Sequence, residues 1–476
     1  MADLVYIPPG VTVDENAQPV PNISGAVAIP PSLVALVGPS IGYQTYTEPI
    51  LLSATTPVTL TQTGIDTTNL TITSLAGAAR TASVDYTVAQ SGSPAEESVT
   101  TIARIGGGAI SDGETVYVTY RYTNSGYYLP FLSRDWDQIQ SRFGAAIISS
   151  TGAVGSPLSL AAKIVMEQGV RELILLPTKG STPTSVTAAQ INTAYTALEA
   201  REDVGIVVPL GVGIVGSDVA PGDTTSLVQN LKTHVESLSA EGKYRVGVLG
   251  LDAGATRTHS TLAQSTSSKR IVLGYPNILN WYNGYTNTTQ ELGGVYLGAA
   301  LAGMMASRQP QDPLTKKIVR SFPSIPSRIF STMTKTAKDD MSNSGVCVVE
   351  QSADGRLSVR HGVTTDRSSV LTREVSIVRA KDTLIRLIYQ ALDQAGIVGS
   401  PLTAETPIRV RSIVDGALTQ AQNAGIFVGF SNLAVRVSDG DATSIQVKFA
   451  YRPAYPVNYI TVSFSINTVT GNQSEV

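Results

Sequence analysis

The chain has 476 residues, enough for about two to four domains with real cores. Only 15% of them are charged against about 25% in ordinary domains, while 42% are apolar, which excludes disorder of the charge-rich kind. A formal net charge of −3 lacks the concentrated positive field that a phosphate backbone or an anionic membrane selects, so neither reads as the main partner.

The first twenty residues read as an extended arm. Pro8, Pro9, Pro19 and Pro21 forbid helix, while Val11 and Val13 alternate with Thr12 and Asp14. No basic segment followed by an apolar run opens the chain, so the start does not read as a signal peptide. Ser32–Val37 (SLVALV) and Pro49–Ser53 (PILLS) are short apolar runs that read as buried strands. From about Ala54 to Leu129 the texture becomes Thr-rich and alternating, as in Thr115–Tyr122 (TVYVTYRY), with Gly, Asp, Asn or Ser between segments. That is an all-β module. Residues 1–130 carry ten acidic side chains against three basic ones, Arg80, Arg104 and Arg121.

From Asp135 to about Ser307 helical and strand patterns alternate, the signature of an α/β layer. Ser156-Pro157 opens a helix with Leu158, Ala161, Ile164 and Val165 inward, closed by Gly169. Thr187-x-x-Gln190 forms a capping box ahead of Ile191, Ala194, Tyr195 and Leu198. A third helix places Leu227, Val228, Leu231, Val235 and Leu238 inward. The strands that follow these helices, Glu172–Leu176, Val204–Leu210 and Tyr244–Gly250, make a mainly parallel, covered sheet. The apolar stretch Gly293–Ser307 is shorter than the about 20 residues a bilayer requires, and the chain reads as soluble.

After a Pro-rich connection near Gln309–Pro326, strands at Gly345–Glu350 and Leu357–Val359 lead to Glu374–Val378. An amphipathic helix follows from about Lys381 to Gln394. A second helix runs from Thr406-Pro407 to Gly425, burying Ile408, Ile413, Val414, Ala417, Leu418 and Ala421. The end of the chain alternates as strand, first at Ile445, Val447 and Phe449, then at Ile460, Val462, Phe464 and Ile466.

Few motifs carry chemistry. Gly211–Gly216 matches GxGxxG after a strand, which admits an NAD-dependent oxidoreductase. Against it, Pro221 and Gly222 interrupt the helix that a dinucleotide loop must open into. His234, His259 and His361 are widely separated, so no zinc-hydrolase spacing exists, and the single Cys347, in an apolar run, reads as a small buried hydrophobe. Asp339-Asp340 reads as a solvated loop or helix end. Arg356, Arg360, Arg367, Arg373, Arg379, Lys381 and Arg386 form a basic strip that either pairs subunits with the acidic early module or is plain surface charge. The Thr-rich module also admits an extracellular adhesin or surface-array protein. No cofactor is expected.

Several dispersed phrases then add up. Pro9–Glu15 (PGVTVDE), Val37-Gly38-Pro39, Trp136–Gly144 (WDQIQSRFG), Arg270–Pro276 (RIVLGYP), Pro313–Lys317 (PLTKK), His361–Thr365 (HGVTT), Glu374–Asp382 (EVSIVRAKD) and Arg452–Ile460 (RPAYPVNYI) occur in one order. In that order they resemble the contractile tail sheath proteins of tailed bacteriophages of the myovirus type. The family's middle proline–tryptophan phrase is represented only by Tyr275-Pro276 and Trp281.

The resemblance implies a structural protein, not an enzyme. It would polymerise into stacked hexameric rings around a tail tube and contract to drive the tube through the host envelope. It implies a homo-oligomer through N- and C-terminal strand exchange, with Val11, Val13, Ile460, Val462, Phe464 and Ile466 as the intersubunit arms. The tail tube protein and the baseplate and tail terminator proteins are the further partners, with no nucleic acid and no membrane insertion. Localisation is the virion tail, and the host cytoplasm during assembly. The expected architecture combines α/β and α+β domains. Residues 1–22 form an arm, 23–53 with 131–344 the α/β core, and 54–130 an inserted, outward-facing β domain. Residues 345–459 form a C-terminal α+β domain facing the tube, with Arg409, Arg411 and Asp415 as a tube-facing set, and 460–476 form a strand arm and tail.

Overall fold

A computed structural model describes residues 33–40, 43–54, 56–92, 98–123, 126–148, 152–179, 186–210, 227–251, 258–441, 443–458 and 460–463. Val11, Val13, Phe464, Ile466 and the Gly211–Gly216 motif lie outside the described residues.

The first strand, β1 (Leu33–Pro39), is buried along its whole length because it lies in the interior of a sheet covered on both faces. From its carboxyl end the chain enters a separate β module. Its strands are β2 (Tyr43–Leu52), β3 (Val58–Thr63), β4 (Ile65–Ser74), β5 (Ala79–Arg80), β6 (Tyr86–Ser91), β7 (Val99–Arg104) and β8 (Glu114–Thr123). They form two antiparallel sheets, in the orders β2-β8-β4-β5 and β3-β7-β6, around one core of Ile50, Leu52, Ile72, Ile102, Val116, Val118 and Tyr120. The Pro49–Ser53 phrase is therefore not a core strand. Ile50 and Leu52 point inward and Leu51 outward, and the strand pairs with β8, so the module begins at Tyr43 and not at residue 54.

The chain returns through β9 (Phe131–Ser133) and α1 (Trp136–Phe143), then α2 (Pro157–Glu167) and β10 (Leu173–Thr178). Asp135 and Ser156 cap the two helices by accepting from Asp137 and Ser159 backbone N–H groups. Next come α3 (Ala188–Leu198), β11 (Val204–Pro209), α4 (Leu227–Ala240), β12 (Val246–Gly250), α5 (His259–Thr266) and β13 (Ile271–Tyr275). The capping box of Thr187 and Gln190 opens α3 as read. A hairpin of β14 (Ile278–Asn283) and β15 (Thr288–Gly293) precedes α6 (Gly294–Ala306), followed by α7 (Ser327–Phe330), α8 (Lys335–Asn343), β16 (Val346–Gln351) and β17 (Leu357–Val359).

These strands make one eight-stranded sheet, β17-β16-β13-β12-β11-β1-β10-β9, parallel throughout except for its two edge strands. Helices cover both faces. A Cβ added to Gly247 of β12 meets Leu231 of α4, whereas one added to Gly250 meets the Gly294 backbone of α6. The glycine- and alanine-rich run is thus α6, lying so close to β12 that side chains do not fit between their backbones.

The C-terminal unit contains α9 (Val370–Arg373), α10 (Val375–Gln394), α11 (Thr406–Asn423), β18 (Phe427–Val437) and β19 (Ile445–Pro453). The strands near Gly345 and Leu357 do not belong to it, because β16 pairs with β13 in the main sheet. Glu374–Val378 also differs from expectation. It opens α10, whose first turns are buried all round, Val375 against the main core and Ala380 onward against α11. Ile408 is 70% exposed, because the inward stripe of α11 is Val410, Val414, Ala417, Leu418 and Ala421, and Ile408 stands on the opposite side of the helix.

Candidate assembly interface

The antiparallel pair β18 and β19 forms a sheet of only two strands, with Phe427, Leu433, Val435, Val447 and Phe449 packed toward the α10–α11 core. A two-stranded ribbon is marginal alone in water, and each of its strands is a sheet edge with unpaired backbone groups. No third strand pairs with it among the described residues. The other long edge strand, β2, is guarded. Pro49 lacks an N–H, and Glu48 points inward, accepting from Tyr120 Oη at 2.6 Å and Thr61 N at 2.9 Å. The ribbon has no such inward acid.

Beyond Pro453, residues 454–458 and 460–463 have no strand structure. Ile460 and Val462 are 82% and 78% exposed, so these two arm residues find no apolar cover among the described residues. Arg409, Arg411 and Asp415 lie exposed on the solvent side of α11, with no ion pair among the described residues. They share that side with Ile408. α11 turns its inward face to α10 and the ribbon, and these charges to solvent.

A buried joint fixes the C-terminal unit to the sheet. Arg270, just before β13, binds Asp382 of α10 through two N–H···O bonds, one of 2.9 Å, and its guanidinium lies 5.4 Å from the Tyr244 ring centre. Arg386 donates to Tyr244 O, and Gln311 Nε2 to Ala424 O at 3.0 Å. The Arg270 and Arg386 bonds of α10 lie just before the amino ends of β13 and β12, whereas the β module leaves from the carboxyl end of β1. The two satellite units therefore stand at opposite ends of the parallel strands.

The basic strip is not one continuous patch, and part of it is plain surface charge: Arg367 is exposed with no ion pair among the described residues. Arg356 pairs with Asp354, Arg360 with Asp339 and Glu350, and Arg386 enters the joint. Arg379 is buried, which lowers its pKa to about 10. Asp339 belongs to α8 and not to a loop, and Lys316, Lys338 and Arg360 surround Glu350. Burial would raise the Glu350 pKa, but those three cations outweigh it and hold the group at about 2. Cys347 is buried in β16, its thiol pushed up to about 12 by burial.

The strand order from β10 through β1, β11, β12 and β13 is the 2-1-3-4-5 doubly wound order, whose ligand crevice lies at the carboxyl ends of the first and third strands. There β1 and β11 pack closely, and residues 211–226, which come after β11, lie outside the described residues. Leu210 N donates to Val37 O, and a Cβ on Gly38 would lie 2.5 Å from Leu210 Cβ. Nearby His259 is buried against Tyr275, which lowers its pKa to about 4. Among the described residues no cluster of three His, Cys, Asp or Glu could hold a metal, and no helix is long and apolar enough to cross a membrane.

Comparison with known proteins bears on what such a molecule is. No family model matches the chain. A tail sheath protein of Mycobacterium phage Bxz1 is 31% identical to it over 377 residues, 78% of this chain and 62% of that protein. Over that stretch the chain is similar to a phage tail sheath protein. A tail sheath protein of Bacillus phage SP01 is 26% identical over 202 residues, 42% of this chain and 34% of that one. The chain thus spans less than two thirds of the length of either sheath protein. The contracted helical sheath of the anti-feeding prophage shares the fold, with a TM-score of 0.54 at 14% identity, over 97% of this chain and 100% of that one.

The sequence signals leave β18 unassigned and give no role to Asn458 and Glu374, which lie within the Arg452–Ile460 and Glu374–Asp382 phrases. The alternating apolar positions Leu433, Val435 and Val437 carried a strand signal for β18. Nothing local marks Asn458 or Glu374, which meet only in the fold.

Proposed function

We propose that the chain is the subunit of a contractile tail sheath, polymerising into stacked hexameric rings around a tail tube and contracting to drive the tube through a host envelope. The observation that carries this reading is the 31% identity to a tail sheath protein across 377 residues. The role is structural and not enzymatic, in the virion tail, with assembly in the host cytoplasm.

The ribbon of β18 and β19 accepts strands from neighbouring copies. Val11 and Val13 supply one, and Ile460, Val462, Phe464 and Ile466 the other. Backbone hydrogen bonds give such a contact its affinity and alternate side chains fix its register. Filling both edges would turn a marginal two-stranded ribbon into a stable sheet shared between subunits. The exposed side of α11, with Arg409, Arg411 and Asp415, faces the tube protein. Because the β module stands at the other end of the strands, it then faces outward. Baseplate and terminator proteins meet the first and last rings.

Contraction on this account is a change in how rigid subunits pack, with the Arg270–Asp382 joint keeping sheet and C-terminal unit together while the arms hold the chain of copies. Deleting residues 1–20 tests the arm. The expected product is a folded subunit that stays small in sedimentation under conditions where the full chain forms tubes. Ordinary tubes from the truncated chain would contradict the arm's role.

A further inference from the structure

The segment after Pro453 is held to the body through the side chain of Asn458. Asn458 Nδ2 donates to Glu374 Oε1 at 3.0 Å, and the same oxygen accepts from His361 Nε2 at 2.7 Å. Arg373 Nη2 stands 4.0 Å from it. Meanwhile Glu374 Oε2 and Asn458 Oδ1 are buried with no donor, and Arg373 Nε is buried with no acceptor, among the described residues. Donors crowd onto one carboxylate oxygen while its twin has none and an uncommitted guanidinium N–H sits on the adjacent residue. Buried polar atoms are rarely left so, and an arginine fork is the shape that satisfies both oxygens of a carboxylate.

We propose that Glu374 is a two-position latch for the root of the C-terminal arm. In the position seen here it holds Asn458. In the other, Arg373 closes on the carboxylate as a forked pair and Asn458 is released. Latched, residues 454–458 travel with the body and the arm departs beyond Asn458. Released, it departs from the end of β19 at Pro453, which adds five residues of reach, about 17 Å of extended chain. One arm with two lengths suits a lattice whose copies occupy two spacings. This rests on reading residues 460–463 as part of an intersubunit arm.

Nitroxide spectra of the full chain labelled at Val457→Cys, the native Cys347 being buried, test the latch on unassembled subunits. Asn458→Ala should raise the ratio of mobile to immobile label about tenfold, the shift expected from losing one hydrogen bond to a charged group. Asn458→Asp, which sets a second carboxylate against Glu374, should do the same. Arg373→Gln removes the competitor and should lower that ratio. Parental spectra in both Asn458 variants, or no change in Arg373→Gln, would overturn the two-position latch. The readout needs no polymer, so a chain that never formed tubes would sink the sheath reading while the latch was still decided by these variants.

Discussion

Arg270 and Asp382 face each other in the interior, 112 residues apart in sequence, with two guanidinium N–H groups on the two carboxylate oxygens. Each side chain is almost fully buried, 7% and 10% exposed. This pair joins the amino end of β13 to the middle of α10, so it carries the connection between the two largest units of the subunit.

Removing one member leaves a buried charge without its partner. Asp382→Ala should therefore destabilise the protein by about 3–5 kcal/mol, whereas the double replacement Arg270→Met with Asp382→Leu should recover most of that loss. Urea unfolding midpoints of the three chains check this. A single variant within about 0.5 kcal/mol of the parent would mean the joint is held by packing alone.

The close approach of α6 to β12 gives a sharper steric expectation. A Cβ on Gly250 would lie 1.6 Å from Gly294 O, and main chain cannot yield as a side-chain tip can. Gly250→Ala should cost at least about 3 kcal/mol or prevent folding. Gly416→Ala, inside α11 with nothing within 4 Å, should instead stabilise by about 0.5–1 kcal/mol through lower helix entropy cost. Thermal melting of both variants gives the comparison.

Buried histidine adds a pH dependence whose sign follows from its environment. Burial lowers the His259 pKa from 6.5 to about 4, so on acidification the unfolded chain takes the proton first. The stability this neutral imidazole supplies is complete above pH 6.5 and is lost as the pH falls toward 4, about 2 kcal/mol between pH 8 and pH 5. His259→Phe keeps a ring against Tyr275, and Nε2 has no partner to lose among the described residues. Between pH 8 and pH 5 the variant should lose about 2 kcal/mol less than the parent chain, measured by denaturant titration at each pH.

Much of the α/β layer was legible because its signals are local. Ser156-Pro157, the Thr187–Gln190 box and the inward stripe of α4 each sit within a few residues of the element they define. What misled was information held elsewhere in the chain. Pro49–Ser53 has the apolar content of a core strand, yet Pro49–Leu52 pair with β8, and only that pairing assigns them to the β module. Glu374–Val378 is β-branched and apolar without helical periodicity because the first turns of α10 are covered on every side, by the sheet core and by α11. At Ile408 composition suggested burial while the 3.6-residue period set by Val410, Val414 and Leu418 placed it outside. The arm residues Ile460 and Val462 showed an apolar alternation that the described residues leave uncovered.

The most direct measurement is electron microscopy of the purified full-length chain with helical reconstruction. The account predicts hollow tubes of stacked six-membered rings, with extra strands from neighbouring copies on both edges of the β18–β19 ribbon. Discrete monomers under all assembly conditions, or tubes in which both ribbon edges stay empty, would contradict it.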